Sequence, residues 1–475
     1  MVFTSVIFIF IFLPGIITAY FLFPEKYRNM LLLLASLFFY AWGEPKYILV
    51  MISSILINFY FGYKVHENFE HKKKKKLFLV LGILCNLSML GFFKYGNFFI
   101  NNINYIFTTL NIHEPINIGK IHLPIGISFF TFQGLSYVID VYRKEAKVQK
   151  NIFNLALYIA LFPQLIAGPI VRYHDVVEEI EKREITTAKI AFGIKRFVVG
   201  FAKKILIANQ LGIIADKIFD ISQGSIPTSV AWLGVICYTM QIYYDFSGYS
   251  DMAIGLGRIF GFAFLENFRF PYVSKSISEF WKRWHISLTS WFRDYVYIPL
   301  GGNRRGKART YINLLIVFLL SGLWHGASWN FILWGTYHGG FLALERVGFG
   351  KVLDKLWKPL RHIYTMLIVI VGWVFFRVES ISKAIIYLKH MFIFQGATDL
   401  YYINLYIDPK IIFVLIIAVI FSTPILKYTK EYAGSVIGDG AIYNTISNIL
   451  IIALLILCLI VLAGSTYNPF IYFRF

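Results

Sequence analysis

Charge is scarce in this sequence. Asp, Glu, Lys and Arg make up 15% of its 475 residues, against about 25% in soluble domains. The stretch from Tyr311 to Leu344 has none of them. Cysteine is nearly absent. Cys85, Cys237 and Cys458 lie far apart in apolar sequence, which excludes a disulfide framework and any thiolate metal spacing and leaves them as buried thiols. Internal repeats, low-complexity linkers and a soluble-looking segment are missing too. The first residues, Met1-Val2-Phe3-Thr4, carry no basic start and no small-residue cleavage site follows. That pattern predicts a retained first span rather than a signal peptide.

What is present is apolar. Hydrophobic residues reach 57% and mean hydropathy is +0.62. A membrane span needs about 20 mostly apolar residues. Val2–Pro24, Tyr47–Tyr63, Leu77–Phe93, Leu123–Ile139, Ser225–Tyr244, Ile363–Phe376, Ile411–Leu426 and Asn448–Leu462 qualify, with a shorter Met30–Trp42 and the uncharged stretch beyond Tyr311. The expectation is an all-α polytopic membrane protein, one unit over residues 1–475, with roughly ten to twelve embedded segments.

The net charge of +20 would suggest nucleic acid in a soluble protein. Here it follows the positive-inside rule, and no nucleic-acid-binding motif accompanies it. The run His71–Lys76 is placed in the cytoplasm, as are Tyr142–Lys144, most of Glu266–Arg309, Gly350–Arg361 and Lys427–Lys430. Asn101–Asn117, Asp399–Asp408 and the tail Asn468–Phe475 fall outside. Ile152–Val171 has basic residues on both flanks and contains Pro163, Gly168 and Pro169, so it reads as a re-entrant hairpin whose backbone protein must cover. Trp281, Trp284, Leu288 and Trp291 follow helical spacing and predict one amphipathic helix at the interface or over a cavity mouth.

Two histidines stand out. His325 interrupts the uncharged stretch within Ser321-Gly322-Leu323-Trp324-His325-Gly326, and His285 ends Phe280-Trp281-Lys282-Arg283-Trp284-His285. An ionisable group at membrane depth is costly and marks a functional candidate. The bland alternatives are a core histidine bonded to a carbonyl and an anchor residue beside Trp284. Asp245 and Asp251, near a span end, read as structural ion-pair partners. His338, His362 and His390 have no partner motif and read as structural.

The segments Leu123–Phe130, Ile166–Ile170, Tyr244–Met252, Asn267–Tyr272, Phe280–Leu288, Tyr297–Arg304 and Gly322–Gly326 together resemble the membrane-bound O-acyltransferase (MBOAT) family. They are most similar to its bacterial branch containing the alginate O-acetyltransferase membrane subunit. The resemblance implies a ring of helices with re-entrant segments around a central tunnel. It also implies acyl transfer from a cytoplasmic donor, acetyl-CoA, to a hydroxyl, with no metal. The family's histidine maps onto His325 and its second position onto His285.

Such chemistry needs a base for the alcohol proton, and imidazole titrates nearest neutral pH. His285 then positions the donor or stabilises an oxyanion. Asn303, Arg304 and Arg305, in Gly301–Lys307, could hold the coenzyme A phosphates, or simply form a positive-inside loop. Tyr472 is either an acyl relay or an interfacial aromatic anchor.

The resemblance further implies a bacterial inner (cytoplasmic) membrane protein that acetylates a cell-surface polysaccharide through an extracytoplasmic SGNH-type partner. The rivals are D-alanyl transfer to teichoic acid, a transporter or flippase, and a catalytically dead scaffold. Transporters often carry internal repeats, and none is seen.

Overall fold

The computed structural model describes residues 1–112, 115–221, 226–425, 441–465, 467 and 470–471, and of 441–443 the backbone alone. Every regular element among these residues is helical. Among the described residues five helices are long and apolar enough to cross a membrane: Ile48–Glu67, Lys72–Leu110, Thr187–Phe219, Lys358–Arg377 and Asn444–Ala463. Phe8–Leu22 and Pro409–Phe421 are shorter apolar helices. The chain divides into two compact units, residues 1–193 with 253–265, and residues 194–252 with 266–475.

The first unit holds α1 (Phe8–Leu22), α2 (Glu25–Gly43), α3 (Ile48–Glu67), α4 (Lys72–Leu110), α5 (Ile127–Arg143), α6 (Ile152–Ala160) and α7 (Tyr173–Glu181). In α3 the buried residues Met51, Ser54, Ile55, Asn58, Gly62 and Val65 recur every three or four positions, so one stripe faces protein. Its outer face is also apolar, with Leu49, Leu56 and Tyr60 exposed. A face of that kind suits lipid, where exposed hydrocarbon costs nothing.

Asn58 and Asn86 exchange amide hydrogen bonds of 3.1 and 2.9 Å between α3 and α4, polar glue of the kind used between membrane helices. α5 starts four residues later than the Leu123 boundary expected from hydropathy, because Gly126 takes a left-handed φ of 76°. It is buried almost all round. Beyond α6, Ile152–Val171 continues as a single helical turn at Phe162–Leu165 and then turns and irregular chain. Residues 157–171 are all buried.

The second unit takes most of α8 (Thr187–Phe219) and α9 (Thr228–Ile259). It continues through α10 (Ile277–Arg283), α11 (Ile286–Phe292), α12 (Lys307–His325), α13 (Trp329–Leu344), α14 (Lys358–Arg377), α15 (Ile381–Phe392), α16 (Pro409–Phe421) and α17 (Ala441–Ala463).

Two expectations need correction here. α8 is long and apolar enough to cross a membrane although no span was expected there; it contains Lys195 and Arg196, read as part of a basic flank, together with Lys203 and Lys204. Three of these cations are instead neutralised inside the unit. Arg196 bonds Asp251 and Glu266, both at 2.6 Å, Lys203 bonds Asp251 at 2.7 Å, and Lys204 bonds Asp245 at 2.6 Å. The structural role expected of Asp245 and Asp251 is thus filled by cations of α8 rather than of the Glu266–Arg309 region. The tryptophan stripe, in turn, is not one amphipathic helix. It breaks between α10 and α11 at His285, and Trp281, Trp284, Leu288 and Trp291 are all buried.

Candidate active site

α12 and α13 form a tight helical hairpin with His325 at its bend. Gly322 and Gly335 make the close approach possible: a Cβ at Gly322 would lie 2.1 Å from the Phe331 carbonyl oxygen, and one at Gly335 would lie 2.2 Å from that of Phe318. His325 is the last residue of α12, since Gly326 is extended. Its buried ring sits edge-on to Trp334 at 5.1 Å and Phe376 at 5.2 Å, with Trp324 at 5.0 Å.

The His285 ring lies 6.4 Å from that of His325. It is brought there by the break in the tryptophan stripe. His285 adopts a left-handed φ of 45°, sparsely populated for a residue with a side chain. This conformation is held by the neighbouring strand of chain, with Ile286 N donating to Asn267 O at 2.9 Å and Arg269 N to Arg283 O at 3.0 Å.

Asn267 fixes the chemistry of the ring. Its Oδ1 accepts from Ser287 N at 3.2 Å and from Ser287 Oγ at 2.9 Å, while its Nδ2 donates to Ser250 Oγ at 3.0 Å. A backbone N–H can only donate, so the amide orientation is determined. His285 Nδ1, 3.1 Å from the same Oδ1, must therefore carry the proton. Nε2 is then the nitrogen with the lone pair. Phe246 packs edge-on at 4.6 Å and completes the mount.

Asn267 was given no role from sequence. Its signal was a fully buried amide lodged between Glu266 and Phe268, which only tertiary structure reveals.

The loop Asn303–Arg305 is elsewhere. Its three side chains are exposed, and Asn303 Oδ1 is already engaged by the Tyr297 hydroxyl and by Arg346 at 3.2 Å. α12 begins just beyond the loop and ends at His325. At 1.5 Å per residue its 19 residues separate loop and histidine by about 27 Å. Tyr472 lies outside the described residues, as does Lys427–Lys430. The chain just before Tyr472 is anchored: Ile471 N donates to Asp245 Oδ2 at 2.9 Å, and Phe470 packs on Tyr249 at 4.9 Å. His362 bonds Ser274 O at 3.1 Å and His390 bonds Gln395 at 2.9 Å, which are structural contacts.

In the first unit Asp140, Glu145 and His174 bring one potential ligand atom each within 4.8 Å of one another. His174 is committed to Asp140 at 2.9 Å. That hydrogen bond holds its imidazole above the ordinary histidine value, against the opposing effect of burial.

Comparison with known proteins decides the family. Residues 127–381 match the pattern of MBOAT, the membrane-bound O-acyltransferase family. The chain belongs to that family. The MBOAT chain is similar to a protein named probable alginate O-acetylase AlgI in Pseudomonas putida, at 41% identity over the full length of both. A protein of the same name in Azotobacter vinelandii is 47% identical over 81% of this chain and 76% of its own. The peptidoglycan O-acetyltransferase of Helicobacter pylori is 36% identical over 84% of this chain and 81% of its own. The protein is thus a membrane O-acyltransferase, and His325 and His285 both fall within the matched region.

Proposed function

We propose that this MBOAT protein takes an acetyl group from cytoplasmic acetyl-CoA and delivers it across a bacterial inner membrane for O-acetylation of an extracellular polysaccharide. The names of its relatives support acetyl transfer to a cell-envelope polymer. In this reading residues 1–475 form one integral-membrane domain. It comprises a ring of ten to twelve embedded helices, the Ile152–Val171 segment re-entrant, around a tunnel. Coenzyme A is too large and charged to cross a bilayer, so a two-sided passage lets only the acyl group reach the far side. An extracytoplasmic SGNH-type transferase then places it on the polymer. Asn303, Arg304 and Arg305 receive the coenzyme A phosphates, and the extended pantetheine arm spans toward His325. Tyr472 serves as the acyl carrier between the two proteins.

The observation that carries the reading is the pair of buried imidazoles 6.4 Å apart, one of them locked by Asn267. His325 removes the proton of the acceptor hydroxyl as its oxygen attacks the thioester carbonyl, then returns that proton to the departing thiolate. His285 presents its Nε2 lone pair to the same reaction volume, where it orients the hydroxyl or the donor. General base catalysis contributes about 10²–10⁴-fold.

The test follows labelled acetyl from acetyl-CoA in membranes containing the full-length protein. His325→Ala is expected to reduce transfer by at least about 10²-fold while the protein still assembles with its partner. Undiminished transfer by that variant sinks the reading. A label that arrives only from D-alanyl donors would move the protein to the teichoic acid branch.

A further inference from the structure

His338, on α13, was read from sequence as a structural histidine, yet it makes none of the bonds that a structural histidine makes. The residue is 1% exposed, and neither Nδ1 nor Nε2 has a hydrogen-bond partner. Buried polar groups in native proteins are nearly always paired, and an exception calls for an explanation, a catalytic role or a water or ion that completes it among them. Two further orphans stand beside it. The indole Nε1 groups of Trp281 and Trp334 are also buried without a partner.

The three rings form one cage. Centroids lie 5.1 Å apart for Trp281 and His338, 5.2 Å for Trp334 and His338, and 5.6 Å for Trp281 and Trp334, each pair meeting edge to face. Gly372 of α14 forms another wall. A Cβ there would lie 2.4 Å from His338 Nε2, so only glycine leaves the ring its place. Trp334 is the link to the reaction centre, because it also meets His325, at 5.1 Å.

The hydrogen-bond inventory of this cage selects its ligand. Two indoles and one neutral imidazole supply three N–H donors and a single acceptor, and none of the three carries a charge. Such a donor-rich, neutral setting suits an oxygen that accepts hydrogen bonds and gains partial negative charge. We propose that His338, Trp281 and Trp334 form the oxyanion site of this acyltransferase, receiving the carbonyl oxygen of the acyl thioester.

This rests on the acyl-transfer reading of His325. In the step, the acceptor oxygen bonds to the carbonyl carbon and its proton passes to His325. The carbonyl π pair moves onto oxygen, where the N–H groups hold it. The pair then returns, the carbon–sulfur bond breaks, and the thiolate takes the proton from His325.

The experiment uses the full-length protein in membranes with labelled acetyl-CoA, comparing wild type, His338→Phe, His338→Gln and Trp334→Phe. Loss of one oxyanion donor lowers kcat by about 10²–10³-fold. His338→Phe is expected to show that loss with KM for acetyl-CoA unchanged and with at most a small fall in the unfolding midpoint in detergent, the larger ring against Gly372 offsetting the removal of two orphaned nitrogens. His338→Gln, which keeps an N–H, is expected to recover part of the rate.

Wild-type kcat in His338→Phe overturns the proposal, as does a loss confined to KM for the acceptor, or a rate loss in step with a lowered unfolding midpoint. If His338→Phe yields no folded protein, Trp334→Phe decides by the same criteria. A wild type that transfers no acyl group from any thioester instead overturns the function assigned above, and the two failures are thereby told apart.

Discussion

Replacing Asn267 by alanine tests the mounting of His285. The side chain is fully buried and serves four groups at once: His285 Nδ1 at 3.1 Å, Ser287 N at 3.2 Å, Ser287 Oγ at 2.9 Å and Ser250 Oγ at 3.0 Å. Removing the acceptor of a buried backbone N–H costs about 1–3 kcal/mol, and each lost hydroxyl bond adds about 1 kcal/mol. With two such hydroxyl bonds the total is about 3–5 kcal/mol, within a folding stability of about 5–15 kcal/mol, so the variant folds with a lowered midpoint.

The larger effect is chemical. Without Oδ1 nothing forces the proton onto Nδ1, and Nε2 no longer presents a fixed lone pair. Loss of a tautomer-fixing partner costs about 10⁴-fold in the best-studied catalytic triad, and a fall of at least about 10²-fold in kcat is expected here. Asn267→Asp keeps an acceptor in place, while Ser250 can turn its hydroxyl to donate, so at least about tenfold of the rate should return. Both are read from labelled acetyl transfer, with thermal unfolding in detergent alongside. Asn267→Ala with a rate within about threefold of wild type would refute the argument that His285 acts through a fixed tautomer.

Two other outcomes follow from packing and charge. Gly335→Ala places a methyl 2.2 Å from the Phe318 carbonyl oxygen, whereas at Gly340, on the same helix, nothing lies within 4 Å of the added carbon. Gly335→Ala should force α12 and α13 apart and destabilise by more than about 2 kcal/mol, while Gly340→Ala should be stabilising by up to about 1 kcal/mol; equal unfolding midpoints for the two would contradict the geometry. Lys204→Met or Asp245→Leu alone strands a buried charge and should cost about 3–5 kcal/mol, while the double replacement should recover part of it, the Ile471 N–H still lacking its Asp245 acceptor, a cycle that detergent unfolding can follow.

The sequence displayed the helical class and most of the spans because lipid imposes a strong and simple pattern: Ile48–Glu67, Lys358–Arg377 and Asn444–Ala463 each overlap one of the uncharged runs Tyr47–Tyr63, Ile363–Phe376 and Asn448–Leu462. It hid α8, whose cations look exposed until the carboxylates of α9 are set beside them. It also hid the break at His285. Trp281, Trp284, Leu288 and Trp291 keep helical spacing through residues that do not stay helical, and a single positive φ leaves no trace in periodicity. The importance of His325 and His285 was legible as polarity out of place. Asn267 and the cage around His338 were not, because their meaning lies in partners made or left unmade far along the chain.

The ion pairs of α8 also bear on how the protein is built into its membrane. Arg196, Lys203 and Lys204 are answered by Asp245, Asp251 and Glu266, residues synthesised some forty to seventy positions later. A lone arginine or lysine at the centre of a helix opposes insertion by about 2.5–3.5 kcal/mol. Insertion of α8 alone is therefore disfavoured, and the balance turns only once the chain through Glu266 is available to neutralise it.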